Sequence, residues 1–128
     1  MAKTEIPRFR PKKPRRFSHQ PQPNYATRGK VWIEKEGELY IGWGRAILLE
    51  RIGELGSIAA AARAMGLGYR NAWLWVEAVN RLAPTPLVEK TTGGVGGGYA
   101  RLTGEGSKVV SEYKELWTRF QKFLKQVS

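Results

Sequence analysis

The chain has 128 residues, 41% of them hydrophobic, and its 22 Lys and Arg against 11 acidic residues give a formal net charge of +11. This length suits one domain plus a tail. The charge favours a polyanionic partner, either nucleic acid or an acidic membrane surface. Every acidic residue is Glu, Cys is absent, and His19 is the one His. These counts exclude disulfides, zinc sites built on Cys or His, and Ser-His-Asp or Cys-His catalysis.

No apolar run in the sequence approaches the length of a membrane span. The basic N-terminus continues into Pro and Arg and lacks the apolar segment of a signal peptide. We therefore expect a cytoplasmic protein, associated with the nucleoid and not with a membrane.

Residues 1–29 form a basic segment whose composition differs from the rest of the chain. Nine Lys and Arg but one Glu lie between Met1 and Lys30, together with five of the seven prolines. Such a segment cannot bury enough apolar surface to order itself, so we expect a disordered arm. Two roles fit it: contact with the DNA backbone or minor groove, or service as a solubilising tail.

The segment after the arm predicts a β-hairpin followed by a helix. Residues 31–43 alternate in side-chain character around Glu36 and Gly37, which is typical of two strands joined by a tight turn. From Arg45 to Leu55 the apolar residues follow a helical spacing, and Gly56 is suited to the position just after the helix. The predicted buried face of this helix holds Leu48, Ile52 and Leu55.

Residues 57–82 have the pattern of a helix-turn-helix. Ser57 is a suitable N-cap for a short, Ala-rich helix from Ile58 to Met65. Gly66, Leu67 and Gly68 form the turn, with Leu67 directed into the core, and a longer helix runs from Tyr69 to about Leu82. The stripe of this second helix that faces the core comprises Ala72, Val76, Val79 and Ala83.

The C-terminal third predicts a second hairpin and a long helix. Residues 87–102 read as two strands around the loop Gly93–Gly98, the wing of a winged helix, and Thr103 can cap the last helix at about residues 104–126. The predicted fold is mainly α with small β-hairpins: a winged helix-turn-helix domain over residues 30–128 with a long C-terminal dimerisation helix.

The last helix carries an apolar stripe that is too wide for one small core. Its residues repeat at spacings of three and four, with a second row seven apart. We expect a helix buried on two sides, against its own domain and against a second copy of the chain. The alternative is that the stripe covers only its own core. The predicted dimer contacts are Val109, Tyr113, Leu116, Trp117, Phe120, Phe123 and Leu124.

Polar and aromatic residues at the start of the second motif helix are candidates for DNA contact. Arg70 can bind guanine O6 and N7 or a phosphate, and Asn71 can pair with adenine or only fill the first turn. Tyr69 and Trp73 can contact a phosphate or a thymine methyl, or only pack. The predicted DNA-binding residues are Ser57, Tyr69, Arg70, Asn71, Trp73, Lys90, Thr91, Thr92 and Arg101.

The glycine-rich loop Gly93–Gly98 is a weak match to a nucleotide-binding loop. It lacks the GK[ST] of a P-loop, and its glycines fit no G-x-G-x-x-G register. A wing tip that lies along the DNA backbone is the favoured interpretation, with Lys90 and Arg101 near phosphates. A hairpin tip without contacts is the alternative.

Residues 45–112 resemble the N-terminal DNA-binding domain of ModE, the molybdate-responsive regulator, which is itself similar to the winged helix of LysR-type regulators. The matching segments are GSIAAAARAMGLGYRNAW (Gly56–Trp73), PLVEKTTGGVGGGYARLT (Pro86–Thr103) and GEGSKVV (Gly104–Val110). The resemblance implies a prokaryotic, dimeric winged-helix regulator whose long helix makes the dimer. In the family the recognition helix begins Ser-Tyr-Arg-Arg-Ala-Trp, so Tyr69, Arg70 and Trp73 match, whereas Gly68 and Asn71 depart.

Full-length members of that family continue into molybdate-binding β-barrel modules, and this sequence ends at Ser128 after the predicted dimer helix. We therefore expect a stand-alone DNA-binding domain without a cofactor, and the resemblance does not carry oxyanion sensing. The sequence leaves open whether a separate effector-sensing protein is a further partner.

Three functions fit this pattern. The first is a homodimeric, sequence-specific transcription regulator that binds double-stranded DNA. The second is an architectural nucleoid protein in which charge supplies most of the binding. The third is an adaptor that uses the winged helix to hold another protein. An enzyme is not expected, because no pair of titratable groups has a catalytic spacing; a site built on Glu or Lys is not formally excluded.

Overall fold

A computed structural model describes residues 24–91 and 99–127. In these residues the chain forms four helices and two antiparallel two-stranded sheets. The elements in order are β1 (Ile33–Lys35), β2 (Glu38–Ile41), α1 (Trp43–Leu55), α2 (Ile58–Met65), α3 (Tyr69–Leu82), β3 (Val88–Thr91), β4 (Tyr99–Leu102) and α4 (Gly104–Gln126). The expected mainly α architecture with two small hairpins is confirmed. Within the same residues, none of the helices combines the length and apolar character needed to cross a bilayer.

The first hairpin turns at the two residues that the sequence predicted. Glu36 and Gly37 have φ values of 53° and 85°, so both central residues are left-handed, as in a type I′ turn. The following helix begins at Trp43, two residues before the predicted start, and Gly44 therefore lies within its first turn. A Cβ on Gly44 would lie 3.2 Å from the Trp75 ring, so glycine here permits close packing of α1 and α3.

The two helices of residues 57–82 have the predicted bounds. The Ser57 hydroxyl accepts a hydrogen bond from the Ala60 N–H at 3.1 Å and so caps α2. Gly56 and Gly66 follow α1 and α2 in the left-handed conformation, with φ of 69° and 65°. Leu67, in the turn, is half-buried and packs against the core, which agrees with its expected direction.

The core lies between α1, the inner faces of α2 and α3, the second hairpin and the first half of α4. Ile52, Ala72, Val76 and Val79 are buried there. The expectation that Leu55 shares this face is wrong, because its side chain is 48% exposed at the C-terminal end of α1, where the chain turns away at Gly56.

The second hairpin is attached to the helices on both sides. Strand β4 pairs with β3, and the Ala100 N–H also donates to the Gly56 carbonyl at 3.0 Å. Thr103 caps α4 as predicted, because its hydroxyl accepts a hydrogen bond from the Gly106 N–H at 3.0 Å. The Thr103 N–H donates to the Leu87 carbonyl at 2.9 Å. The turn between β4 and α4 is therefore bonded to the segment that precedes β3.

Tyr113 of α4 is fully buried and joins the helix to the segment before β1. Its hydroxyl donates to the Val31 carbonyl at 2.7 Å. Farther along, the Thr27 hydroxyl donates to the Val127 carbonyl at 3.3 Å, and a Cβ on Gly29 would lie 3.0 Å from the Phe120 ring. Thus the last residues of the predicted arm that are described, 24–29, run beside the C-terminal end of α4, whereas residues 1–23 lie outside the described part.

Gly106 sits at the closest approach of α4 to the strand region. A Cβ there would lie 2.3 Å from the Leu87 carbonyl oxygen and 2.5 Å from Leu102 Cδ1. We expect Gly106→Ala to lower the free energy of unfolding by about 1–3 kcal/mol in urea titrations, because the helix must shift despite the better helix propensity of Ala. Gly104→Ala is the matched control, since no atom lies within 4 Å of its added Cβ. If Gly106→Ala left the free energy of unfolding unchanged, the tight contact at Gly106 would be contradicted.

Alkaline pH should destabilise the fold through its buried tyrosines. Burial raises the pKa of Tyr113, and burial followed by the charges of Glu105 and Glu112 raises that of Tyr40. A pKa raised in the folded state gives stability that is complete below the unfolded value of about 10 and is lost as pH rises through the folded value. Thermal melts should show this decline above about pH 10. Tyr113→Phe should weaken the decline while costing about 1 kcal/mol at neutral pH. Tyr25→Phe is the control, because Tyr25 is exposed. If this variant weakened the alkaline decline as much as Tyr113→Phe does, the decline would not originate in the buried tyrosine.

Candidate nucleic-acid interface

The N-terminal half of α3 presents an exposed polar surface. Tyr69, Arg70 and Asn71 lie in its first turn and are all exposed, Tyr69 by 53%. Gly68 precedes the helix and provides no side-chain cap. Arg70 makes no ion pair with any residue in the described ranges, unlike Arg81 and Arg101. The first turn of α3 therefore offers a free guanidinium, a phenol and an amide on one exposed patch.

Trp73 joins α3 to the second hairpin. Its ring is half-buried against the core, meets the Tyr69 ring edge-on at 6.2 Å between centroids, and lies 4.1 Å from the Lys90 ammonium. Lys90 also reaches the Glu77 carboxylate at 4.0 Å. The sequence leaves two roles for Trp73, packing within the protein and contact with DNA, and the structure shows the packing. The cation over its face brings β3 to the side of α3.

The other candidates on the hairpin lie on its opposite face. Side chains alternate along a strand, so Lys90 shares the inward face with buried Val88, while Thr91 and Arg101 are exposed. Arg101 pairs with Glu89 across the strands, and the Thr91 hydroxyl donates to the Tyr99 carbonyl at 3.2 Å. The structure thus brings Lys90 to α3 but places Arg101 and Thr91 on the outer surface.

Ser57 and Thr92 are the two remaining predicted DNA contacts. The hydroxyl of Ser57 is engaged by the Ala60 N–H as the cap of α2. Thr92 and the loop Gly93–Gly98 lie outside the described residues. Within residues 24–91 and 99–127, no group of three Cys, His, Asp or Glu side chains is placed to hold a metal ion.

Asn80, which the sequence analysis did not single out, ties α3 to the hairpin. Its side-chain oxygen accepts from the Leu87 and Val88 N–H groups at 2.8 and 3.1 Å, and its amide nitrogen donates to the Val88 carbonyl at 2.9 Å. All three bonds reach the chain seven or eight residues ahead, across the Pro-containing turn. The sequence signal, a lone polar residue beside the buried stripe of α3, is weak.

The first hairpin holds the C-terminal end of α3. The Lys35 ammonium donates to the Leu82 carbonyl at 3.1 Å, and Arg81 pairs with Glu38 through both guanidinium NH groups. This hydrogen-bonded pair lowers the pKa of Glu38 and raises that of Arg81. Nearby, Arg45 donates to the Leu39 and Tyr40 carbonyls, and its burial lowers its pKa. Long-range contacts of this kind have no local sequence signature.

The seven predicted dimer residues of α4 fall into two groups. Tyr113 and Leu124 are buried within their own chain, so they support the surface of the helix without forming it. Phe123 is 49% exposed, and Val109, Leu116, Trp117 and Phe120 are half-buried. Only these five are available to a partner.

A cleft of about 450 Å³ opens beside Trp117. The Trp117 ring lies 4.5 Å from that of Trp43, centroid to centroid, and Trp32 and Leu39 of the first hairpin complete the apolar wall. Trp32 and Trp43 are about half exposed. No local pattern in the sequence predicts this surface, because its residues belong to different elements that only the tertiary fold brings together.

Removing the Asn80 amide should loosen the hairpin from α3. We expect Asn80→Ala to lower the free energy of unfolding by about 2 kcal/mol, since it leaves the Leu87 and Val88 N–H groups without their partner. Asn71→Ala, on the exposed side of the same helix, should change stability by less than about 0.5 kcal/mol. Urea unfolding monitored by tryptophan fluorescence gives both values. Equal values for the two variants would rule out the proposed attachment.

No protein-family model matches the chain. Among curated proteins it is 43% identical over 98 residues to the molybdenum-pterin-binding protein MopB of Rhodobacter capsulatus, which covers 77% of this chain and 36% of MopB. It is 40% identical over 84 residues to the molybdenum transport protein ModE of Azotobacter vinelandii, covering 66% of this chain and 31% of that protein. The DNA-binding transcriptional dual regulator ModE of Escherichia coli K12 is 36% identical over 84 residues, 66% of this chain and 32% of the regulator.

The chain thus spans about a third of the length of the curated relatives it matches. Their names describe molybdenum-binding, transport and regulatory proteins, and the similarity concerns the Mop and ModE group as a whole.

Proposed function

We propose that this chain is a sequence-specific DNA-binding transcription regulator in which α2, α3 and the second hairpin form a winged helix-turn-helix. The single observation that carries the proposal is the exposed first turn of α3, with Arg70 free of any ion pair in the described residues and Tyr69 and Asn71 beside it. A short capped helix, a glycine turn and a longer helix with polar residues at its start suit insertion of the longer helix into the major groove.

The attachments of α3 support this role. Asn80 bonds the helix to β3, and Lys35 and Glu38 bond its last turn to the first hairpin. A helix held in this way presents its exposed residues in a constant orientation, which direct readout of base edges requires. Lys90, beside Trp73, extends the cationic surface toward the DNA backbone.

The similarity to named regulators supports the same conclusion. The Escherichia coli relative is named a DNA-binding transcriptional dual regulator. The Rhodobacter relative is named for binding a molybdenum pterin, but the exposed guanidinium on a fixed helix favours DNA as the ligand of the described part of this chain. We propose that residues 30–128 act as its DNA-binding domain and that residues 1–29 add a basic arm.

We further propose that the active form is a homodimer. In α4 the half-buried Leu116 and Phe120 and the 49% exposed Phe123 follow one another at spacings of four and three, and an incompletely buried apolar row of this kind favours burial against a partner. A two-fold dimer would present two equivalent copies of α3 to the duplex, as a two-fold symmetric operator requires.

An architectural DNA-binding role is the second candidate, and the net charge of +11 favours it. Charge alone gives binding that is sequence-independent and falls steeply with salt. The two functions differ in the ratio of specific to random affinity at fixed salt.

In-vitro selection of random duplexes at near-physiological salt tests the proposed function. We expect recovery of one two-fold symmetric sequence, because a homodimer presents two equivalent α3 helices. Arg70→Ala should then weaken binding to that sequence by about 1–3 kcal/mol with little effect on random DNA.

Arg51→Ala is the control, because it removes an equal charge from α1, where Arg51 is paired with Glu54. It should change specific and random binding alike. Recovery of no preferred sequence, with binding that collapses as salt rises, would establish the architectural role instead.

A further inference from the structure

Leu74 is a half-exposed leucine on the polar face of α3. Its side chain is 50% exposed. It follows Arg70 by four residues, so the two lie on the same face, one helical turn apart. Glu77 and Arg81 continue this face and are also exposed. Leu74 is therefore the apolar residue within a row that is otherwise charged.

Packing against the described residues does not account for Leu74. Its neighbours Trp73 and Trp75 are half-buried and pack against the core, whereas Leu74 is absent from the residues that do so. Leaving an apolar side chain of this size in water forgoes the free energy of its burial. The position is explained if the side chain is covered when α3 engages its ligand.

We infer that Leu74 is a specificity-determining residue that packs against the 5-methyl group of a thymine. The inference rests on the proposed function, because it places this face of α3 in the major groove. There the thymine methyl is the apolar feature of the base-pair edges, and apolar side chains contact it. Arg70 on the preceding turn is positioned for guanine O6 and N7.

The spacing of the two residues sets the spacing of the two bases. Four residues of α-helix rise about 6 Å, and successive base pairs rise about 3.4 Å. If α3 lies along the groove, the thymine that Leu74 contacts is one or two base pairs from the guanine that Arg70 contacts. Glu77 lies on the next turn of the same face, so the apolar contact is limited to Leu74. Its carboxylate is 4.0 Å from the Lys90 ammonium.

The test uses the full chain and the sequence recovered by selection. Each thymine of one half-site is replaced by deoxyuridine, which removes the methyl group and keeps base pairing. At one thymine the wild-type protein should bind about 3- to 10-fold more weakly, the effect of exposing one methyl contact. Leu74→Ala should lose a similar factor on the natural site and should be insensitive to uracil at that same position.

Leu55→Ala is the matched control, because Leu55 is also half exposed, at 48%, but lies at the end of α1. It should keep wild-type affinity and the wild-type response to uracil, and thermal melting should show that both variants are folded. If Leu74→Ala responds to every uracil as the wild type does, or if no uracil weakens wild-type binding, the assignment is overturned while the proposed regulator stands. If selection recovers no preferred sequence, both fail.

Discussion

The amide of Asn80 makes the hydrogen bonds that attach the second hairpin to α3. Its oxygen receives the N–H groups of Leu87 and Val88, and its nitrogen returns a bond to Val88. Both backbone groups lie at the start of β3. Because β4 in turn bonds to Gly56 and Thr103 bonds to Leu87, the amide connects α3 through the hairpin to α1 and α4.

The fold holds α3 at its last turn and along its middle, and it leaves the first turn exposed. The first hairpin holds the last turn through Lys35 and the Glu38–Arg81 pair, and β3 holds the middle through Asn80 and Lys90. The pairs are exposed and contribute little stability individually, so their role is orientation. Among the described residues Arg70, in the first turn, has no ion pair, and with exposed Leu74 one turn later it forms the surface where we propose DNA contact.

A second apolar surface lies between the first hairpin, α1 and α4. Trp32, Trp43 and Trp117 meet there around an open cleft, and a partly exposed apolar row that ends at Phe123 continues along α4. Tyr113 supports this surface from beneath through its bond to Val31. The two surfaces have different chemistry, one cationic and one aromatic, which is consistent with the two partners proposed here, DNA and a second copy of the chain.

The sequence by itself determined the local structure. Glu36-Gly37 fixes the first turn, Ser57 and Thr103 fix two helix starts, and Gly56 and Gly66 fix two helix ends, because caps and left-handed positions depend on residues a few places apart. Only the tertiary structure decided which apolar residues are buried, as Leu55 and Tyr113 show, and which cations are free. It also created the Asn80 attachment, the Lys90 contact with Trp73 and the tryptophan cleft. These join residues that are distant in sequence or on separate elements, and the packing that brings them together has no short-range pattern.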